Sequence, residues 1–138
     1  MNTSELIQRY VSGERDFAGI ELVETDLSGI NLSGIVLDGA FLASANLTRT
    51  NLTGASLRGA FLYGTTLCYA KLGQANLNDA NLTKADLRGA YLVKACLEGT
   101  LLTGAILSGV NLREAYLAGV NLSAANLQGI NLRGADLR

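Results

Sequence analysis

Apolar residues recur at every fifth position along almost the whole chain. The series runs without interruption from Phe17 through Leu22 and Leu27 to Leu137, which gives 25 consecutive five-residue units. Two residues before each of these central residues stands a small or β-branched residue, with Arg15 as the single exception. A short fixed period sustained over this length is typical of a solenoid, in which each unit packs only on its neighbours.

A period of five fits neither regular secondary-structure element. On an α-helix, five residues advance by about 140° beyond one full turn, so the leucines would spiral around all sides. On a flat strand, side chains alternate between faces, so leucines five apart would point in opposite directions. The chain must therefore turn a corner in every unit, and each unit combines a short extended segment with a bend.

The other positions of the unit support this interpretation. The residue two before the leucine shares its inward side, and 14 of these partners are alanine, so a large and a small side chain together fill a thin core. The residue between them points outward, and nine of these 25 are asparagine. Two residues after the leucine, glycine occupies 14 of 24 positions. This glycine predicts type II turns, whose third residue needs a positive φ, and we expect a different turn type at the other ten corners.

The consecutive units at 80–84 and 85–89 read Ala-Asn-Leu-Thr-Lys and Ala-Asp-Leu-Arg-Gly. This pattern resembles the pentapeptide-repeat family over residues 15–138. The resemblance implies a right-handed quadrilateral β-helix, an all-β solenoid with four units and 20 residues per coil. The chain would then form about six coils, in a rod roughly 30 Å long at the spacing of paired strands. Side chains 20 residues apart, such as Phe41 and Phe61, would stack in columns.

Residues 1–14 precede the repeat and have the features of a helical cap. Asn2 or Thr3 is a suitable N-cap, and Gly13 a suitable terminator. The apolar positions lie at helical spacing: Leu6, Ile7, Tyr10 and Val11. Because the open end of a solenoid exposes unpaired backbone, we expect this stripe to cover the first coil. A target-binding helix is the alternative.

The repeat continues to Leu137 and Arg138 without a cap sequence. Three alternatives are open: the last coil is exposed, two chains meet there, or the natural protein is longer. A homodimer through this uncapped coil would remove the open edge.

Composition restricts the class of protein further. The net charge of −1 argues neither for a nucleic-acid binder nor for an extremely acidic surface, and we predict no nucleic-acid partner. Residues 1–40 carry seven acidic and two basic side chains, a charge of −5, and the remainder carries +4, so the rod should be electrically polar from end to end. No signal-peptide pattern and no long apolar run is present. These features favour a soluble cytoplasmic protein with no membrane association.

No catalytic constellation is present in the sequence. The chain has no histidine, the commonest general base and metal ligand. Cys68 and Cys96 fall on different predicted faces, and neither has a partner for nucleophilic chemistry. We therefore predict no catalytic residues, no cofactor, no metal site and no enzymatic activity.

The most unusual outward positions are apolar. Phe41, Phe61 and Leu101 occupy the outward middle position of one predicted face, and Tyr63 lies beside Phe61. Exposed aromatic clusters mark partner-binding surfaces. The alternative is that the stacked rings hold adjacent coils together, as cross-strand pairs do.

These features predict a non-enzymatic protein–protein interaction module, whose partner the sequence leaves unidentified. The family that the repeat resembles includes regulators in photosynthetic bacteria that act by binding other proteins. Its quinolone-resistance branch mimics duplex DNA and binds DNA gyrase, which is the alternative function. That mechanism needs acidic columns along the rod, whereas the acidic residues here cluster towards the N-terminus.

Overall fold

The computed structural model describes all 138 residues as one helix followed by a continuous solenoid. Helix α1 spans Thr3–Val11 and is too short to cross a membrane. After it, extended backbone occurs only as single paired residues, without longer strands. Each of the 21 β-bridges is parallel and joins residues that are 20 apart, beginning with Asp16 and Val36. The predicted right-handed β-helix with four units per coil is therefore confirmed.

Pairing at this interval produces four faces, each built from every fourth unit. The outward middle residues of each face form one column, and we number the faces by these columns. Face 1 has Asp16, Val36, Ser56, Asn76, Cys96, Tyr116 and Asp136; face 2 has Glu21, Phe41, Phe61, Asn81, Leu101 and Asn121; face 3 has Asp26, Asn46, Thr66, Asp86, Ile106 and Asn126; and face 4 has Asn31, Asn51, Lys71, Tyr91, Asn111 and Asn131.

The interior is a single core of 36 buried apolar residues. The central residues from Phe17 to Leu117 are at most 4% exposed, and the alanines two residues before them fill the space between. Exposure rises in the last coil, where Leu127 is 39% and Leu137 is 61% exposed. The predicted inward positions are therefore correct along the rod. The leucines of the last coil are more exposed than the other central residues. The homodimer remains a prediction.

The corners have one geometry, contrary to the expectation of two turn types. The ten corner residues other than glycine also have a positive φ, between 56° and 61°. They are Glu24, Ser44, Arg49, Tyr69, Gln74, Asp79, Lys84, Lys94, Glu114 and Ala124. The turn hydrogen bond is also the same: Ala45 N donates to Leu42 O across Ser44, and Ala40 N donates to Leu37 O across Gly39, both at 3.0 Å.

Pairing between coils explains why these residues accept the left-handed conformation. The left-handed conformation costs a residue with a Cβ atom about 1 kcal/mol or more. The same residue, however, donates a backbone hydrogen bond to the next coil. Ser44 N, for example, donates to Tyr63 O at 2.9 Å. The neighbouring coil thus fixes the corner, and glycine lowers the strain without being required.

The outward asparagines stabilise the corners by a hydrogen bond that the periodicity alone does not reveal. In all 13 units with Asn or Asp at the middle position, the side-chain Oδ1 accepts the backbone N–H two residues later, at 2.9–3.1 Å. Asn46 and the Thr48 N–H form one such pair, at 3.0 Å. This Asx arrangement satisfies a donor that points out of the corner and has no partner on the neighbouring coil.

Helix α1 lies over the first coil. Asn2 is the N-cap, since its side chain accepts the Glu5 N–H at 2.9 Å. Leu6 is fully buried in the core, Ile7 is half-buried, and the Tyr10 hydroxyl donates to Ser33 O at 2.7 Å. Val11 departs from the expected stripe: it is 76% exposed, because it is the last helical residue and its side chain faces solvent where the chain turns towards Gly13.

The cap provides a direct test of this packing. We expect Leu6→Ala to lower the free energy of unfolding by about 2–5 kcal/mol, because it leaves a cavity under the helix. The matched variant Val11→Ala should change it by less than about 0.5 kcal/mol, since Val11 contacts little. Urea denaturation followed by circular dichroism measures both. Similar losses in the two variants would show that the helix does not cover the coil through Leu6.

Candidate partner-binding site

Three apolar side chains of face 2 project into solvent because of their place in the repeat. The middle residue of each unit pairs with the coils on either side through its backbone, so its side chain must point outward. At Phe41, Phe61 and Leu101 that side chain is 40%, 47% and 42% exposed. The backbone geometry that buries the central residues from Phe17 to Leu117 therefore also exposes these three residues.

Phe41 and Phe61 form a stacked pair on adjacent coils. Their ring centroids lie 5.0 Å apart, and the ring planes are inclined by only 4°. This separation follows from the spacing of paired backbones, about 4.8 Å, which brings successive side chains of one column into contact. The pair holds both rings in a fixed orientation, with part of each ring still exposed.

Tyr63 extends this pair towards the corner of face 2. It lies two residues after Phe61 and is 45% exposed. The Lys84 ammonium group lies 5.9 Å from the centroid of its ring, within the range of a cation–π contact. Leu101 is separated from this cluster, since Asn81 occupies the column between Phe61 and Leu101. The structure thus brings together three of the four predicted residues and places Leu101 two coils beyond Phe61.

Phe41 and Phe61 stand at positions where Asn or Asp would form the stabilising Asx hydrogen bond. The column of face 2 has Asn81 and Asn121 where the Asx hydrogen bond forms. At Phe41 and Phe61 no side chain accepts the corner N–H groups of Ala43 and Tyr63. A hydrogen bond of this kind contributes about 0.5–1.5 kcal/mol, so face 2 has lost two such contributions where it gains its exposed rings.

Charge is distributed across the rod as well as along it. Residues 1–40 form the cap and the first coils, so the acidic end predicted from the sequence lies at one end of the rod. Counting each unit with its corner, face 4 carries four basic residues and Glu114 alone as an acid, a net charge of +3. Face 1 carries five acidic and three basic residues, a net charge of −2. The period of five did not predict this difference in charge between faces, because the difference appears only when every fourth unit is assigned to the same face.

The two thiols lack the environment of a nucleophile. Partial burial raises the pKa of Cys68, and the neighbouring Asp86 raises it further. Burial likewise raises the pKa of Cys96. A nucleophilic thiol needs a lowered pKa. Both cysteines are free and lie on different faces.

Asp86 and Asp26 are held in local structural contacts. Arg88 donates to both carboxylate oxygens of Asp86 and lowers the pKa of that carboxyl group. Asp26 is similarly held by Ser28, which donates through its hydroxyl and its backbone N–H and lowers the pKa of Asp26. No group of three or more Cys, Asp or Glu side chains is arranged to hold a metal ion.

Comparison with known proteins gives the family. The sequence model described as pentapeptide repeats matches in eight copies, over residues 16–54, 25–62, 45–83, 62–99 and 100–138. No curated protein sequence matches the chain.

Solved structures of the same kind are similar to this one. A pentapeptide repeat protein of the Arabidopsis thaliana thylakoid lumen is 35% identical, with a TM-score of 0.58 over 69% of this chain and 70% of that one. Rfr23, a pentapeptide repeat protein of the cyanobacterium Cyanothece 51142, is 28% identical over 98% of this chain and 99% of that one, with a TM-score of 0.43. Together with the repeat match over almost the whole solenoid, the first of these similarities shows that the chain belongs to the pentapeptide repeat family.

Proposed function

We propose that this chain is a non-enzymatic interaction module that presents Phe41, Phe61 and Tyr63 of face 2 to a protein partner. The observation that carries the proposal is the exposed stacked pair Phe41 and Phe61, which stands at middle positions where 13 of the 25 units form an Asx hydrogen bond, with exposed Tyr63 beside it. Aromatic side chains are enriched at the centres of protein interfaces, where they contribute most of the binding energy. Leu101 would contact the same partner only if the interface extended over four coils.

Rigidity supports this proposal. Both backbones that carry the stacked rings are paired with coils above and below, as shown by the bridges of Phe41 and Phe61. The stack itself restricts the rings further. A partner would therefore bind side chains that are already ordered, and little conformational entropy would be lost on association.

The distribution of charge favours a protein-binding module over a DNA mimic. A mimic of duplex DNA needs acidic side chains repeated along the rod. Face 1 has the most acids, but in its column of middle residues Asp16 and Asp136 are separated by five residues without charge. Its other three acids lie in the turns, on a face that also carries three basic residues. Face 4 has a net positive charge. An effect of excess protein on supercoiling by DNA gyrase would contradict this reasoning.

The stacked pair also has a structural consequence, which a double-mutant cycle measures. We expect Phe41→Ala, Phe61→Ala and the double variant to show a coupling energy of about 0.5–1.5 kcal/mol in urea denaturation, because the two rings contact each other. Tyr63→Ala, outside the stack, should lower stability by less than about 0.5 kcal/mol. A coupling energy near zero would mean that the stack does not hold the two coils together.

The binding role is tested by capture from a lysate of the source cells with quantitative mass spectrometry. The wild-type chain is compared with Phe41→Ser/Phe61→Ser/Tyr63→Ser and with the control Val11→Ser/Tyr116→Ser, which removes exposed apolar surface elsewhere. Circular dichroism first establishes that all three proteins are folded. We expect a protein that wild type and control retain equally and that the face 2 variant loses, by about tenfold or more.

Photo-crosslinking then establishes direct contact. Benzoylphenylalanine is placed at position 61 and, as the control on another face, at position 126. The captured protein should crosslink to position 61 alone. Equal capture by all variants, or equal crosslinking at both positions, would contradict a binding site on face 2.

A further inference from the structure

The column of face 4 departs from asparagine at two adjacent coils. Its residues at 31, 51, 111 and 131 are all asparagine, and each accepts the N–H two residues later. Lys71 and Tyr91 replace asparagine between them and bridge directly to each other. The departures therefore fall together in space, although 20 residues separate them in the sequence.

A third departure lies at the same place. Of the 16 glycines, Gly73 alone lacks a positive φ, so its backbone conformation is open to any residue. A Cβ atom at this position would lie 3.1 Å from Tyr91 Cε1. Glycine is otherwise unfavourable here, by roughly 0.5–1 kcal/mol relative to alanine. The absence of a side chain at Gly73 therefore makes room for the Tyr91 ring, which lies against bare backbone.

The neighbouring corner repeats this arrangement. The Tyr69 ring lies against Gly89, where a Cβ atom would be 2.4 Å from Tyr69 Cε1, and the Arg49 guanidinium carbon lies 4.8 Å from the centroid of the same ring. Two tyrosines thus fold down onto glycines of adjacent coils. They border a shallow depression of about 370 Å³, whose other lining residues are Thr53 and Lys71.

A second depression, of about 280 Å³, lies on the other side of Tyr91. Val93, only 6% exposed, contributes an apolar surface, and Lys94 and Arg113 line the basic side. Thr53 and Tyr91 line both depressions, so the two form one groove across face 4. We refer to these two connected depressions as the face 4 groove.

The charge of the groove indicates what it binds. Lys71 and Arg113 form no ion pair, and Lys94 has only a distant one, with Glu114 at 3.9 Å. Lys71, Lys94 and Arg113 repel one another because they carry the same charge. They lie on one face of a chain whose total charge is −1. An acidic ligand would relieve this repulsion and be drawn to the groove.

We propose that the face 4 groove holds an extended acidic segment of a partner protein. Along the rod, Lys71 and Arg113 are two coil spacings apart, roughly 10 Å. In an extended peptide, side chains four residues apart point to the same side and lie about 13 Å apart, a span that the long, flexible side chains of Lys71 and Arg113 can match. The side chains between them would meet Tyr91 and Val93, so charge and apolar contact would both contribute to binding.

The aromatic residues favour a peptide over a single-stranded nucleic acid. Nucleic-acid grooves stack successive bases on exposed ring faces. The Tyr69 ring lies between Arg49 and Gly89 in its own column, and the Tyr91 ring lies on Gly73. Tyr69 and Tyr91 remain 56% and 47% exposed, but they lie on different faces and do not form one column of rings on which successive bases could stack.

The test uses fluorescein-labelled hexaglutamate as the probe and hexaglutamine as the uncharged comparison, with fluorescence anisotropy at about 0.1 M salt. We expect the wild-type chain to bind hexaglutamate and to bind hexaglutamine at least tenfold more weakly. Lys71→Glu/Arg113→Glu should weaken hexaglutamate binding by about tenfold or more. The control Arg58→Glu/Lys84→Glu makes the same change in net charge on other faces and should weaken it by less than about threefold.

Gly73→Ala separates the shape of the groove from its charge. Its added methyl group displaces the Tyr91 ring without altering any charge, and we expect at least about threefold weaker binding. Thermal unfolding followed by circular dichroism confirms that each variant is folded.

Three results would overturn the proposal. Equal losses of hexaglutamate affinity in the two charge-reversal variants, or no loss in Gly73→Ala, would show that the peptide binds through non-specific charge attraction and not in the groove. Tighter binding of a labelled oligothymidylate than of hexaglutamate, lost in Lys71→Glu/Arg113→Glu, would make the ligand a nucleic acid. Self-association of the wild-type chain that this variant abolishes in sedimentation experiments would identify a second copy as the occupant.

Discussion

Backbone pairing between coils is the constraint on which the rest of the structure depends. Every middle residue bridges to the residues 20 before and 20 after it, where those exist. This pairing requires a corner in each unit and turns the central leucine inward. It also holds ten non-glycine corner residues at positive φ, a conformation that such residues rarely adopt alone. Because the backbone is fixed in this way, outward side chains change without altering the fold, and function can vary on the four faces.

The outward positions show where the chain departs from its own most stabilising choice. Asn or Asp at the middle position satisfies the corner N–H, and 13 units use it. Phe41 and Phe61 on face 2, and Lys71 and Tyr91 on face 4, give up that hydrogen bond. In each case the two replacements are neighbours in one column and expose an aromatic ring. Cys96 and Tyr116 on face 1 are a further pair of adjacent replacements with an exposed ring, so it is the stacked rings of face 2 and the groove of face 4 that set those two surfaces apart.

Much of this architecture follows from the sequence, because one short period determines which side chains point inward. The core leucines, the cap around Leu6 and the outward position of Phe61 need only the period of five. The face 4 groove could not be predicted, since it depends on how the Tyr91 ring leans over Gly73, a residue of another coil. The expectation for Val11 was wrong because helical spacing does not reveal where the last turn leaves the coil. The single corner geometry was missed because pairing between coils outweighs the preference for glycine.

Site-resolved amide hydrogen exchange, measured by NMR, reports on the protection of each corner amide. Middle-position Asn and Asp cap the corner amides, and Phe41 and Phe61 give up this cap. The Thr48 amide, which Asn46 accepts at 3.0 Å, should exchange about five- to tenfold more slowly than the Ala43 and Tyr63 amides, after correction for intrinsic rates. Equal protection of these three amides would mean that Asn46 does not cap its corner and that Phe41 and Phe61 replace no stabilising hydrogen bond.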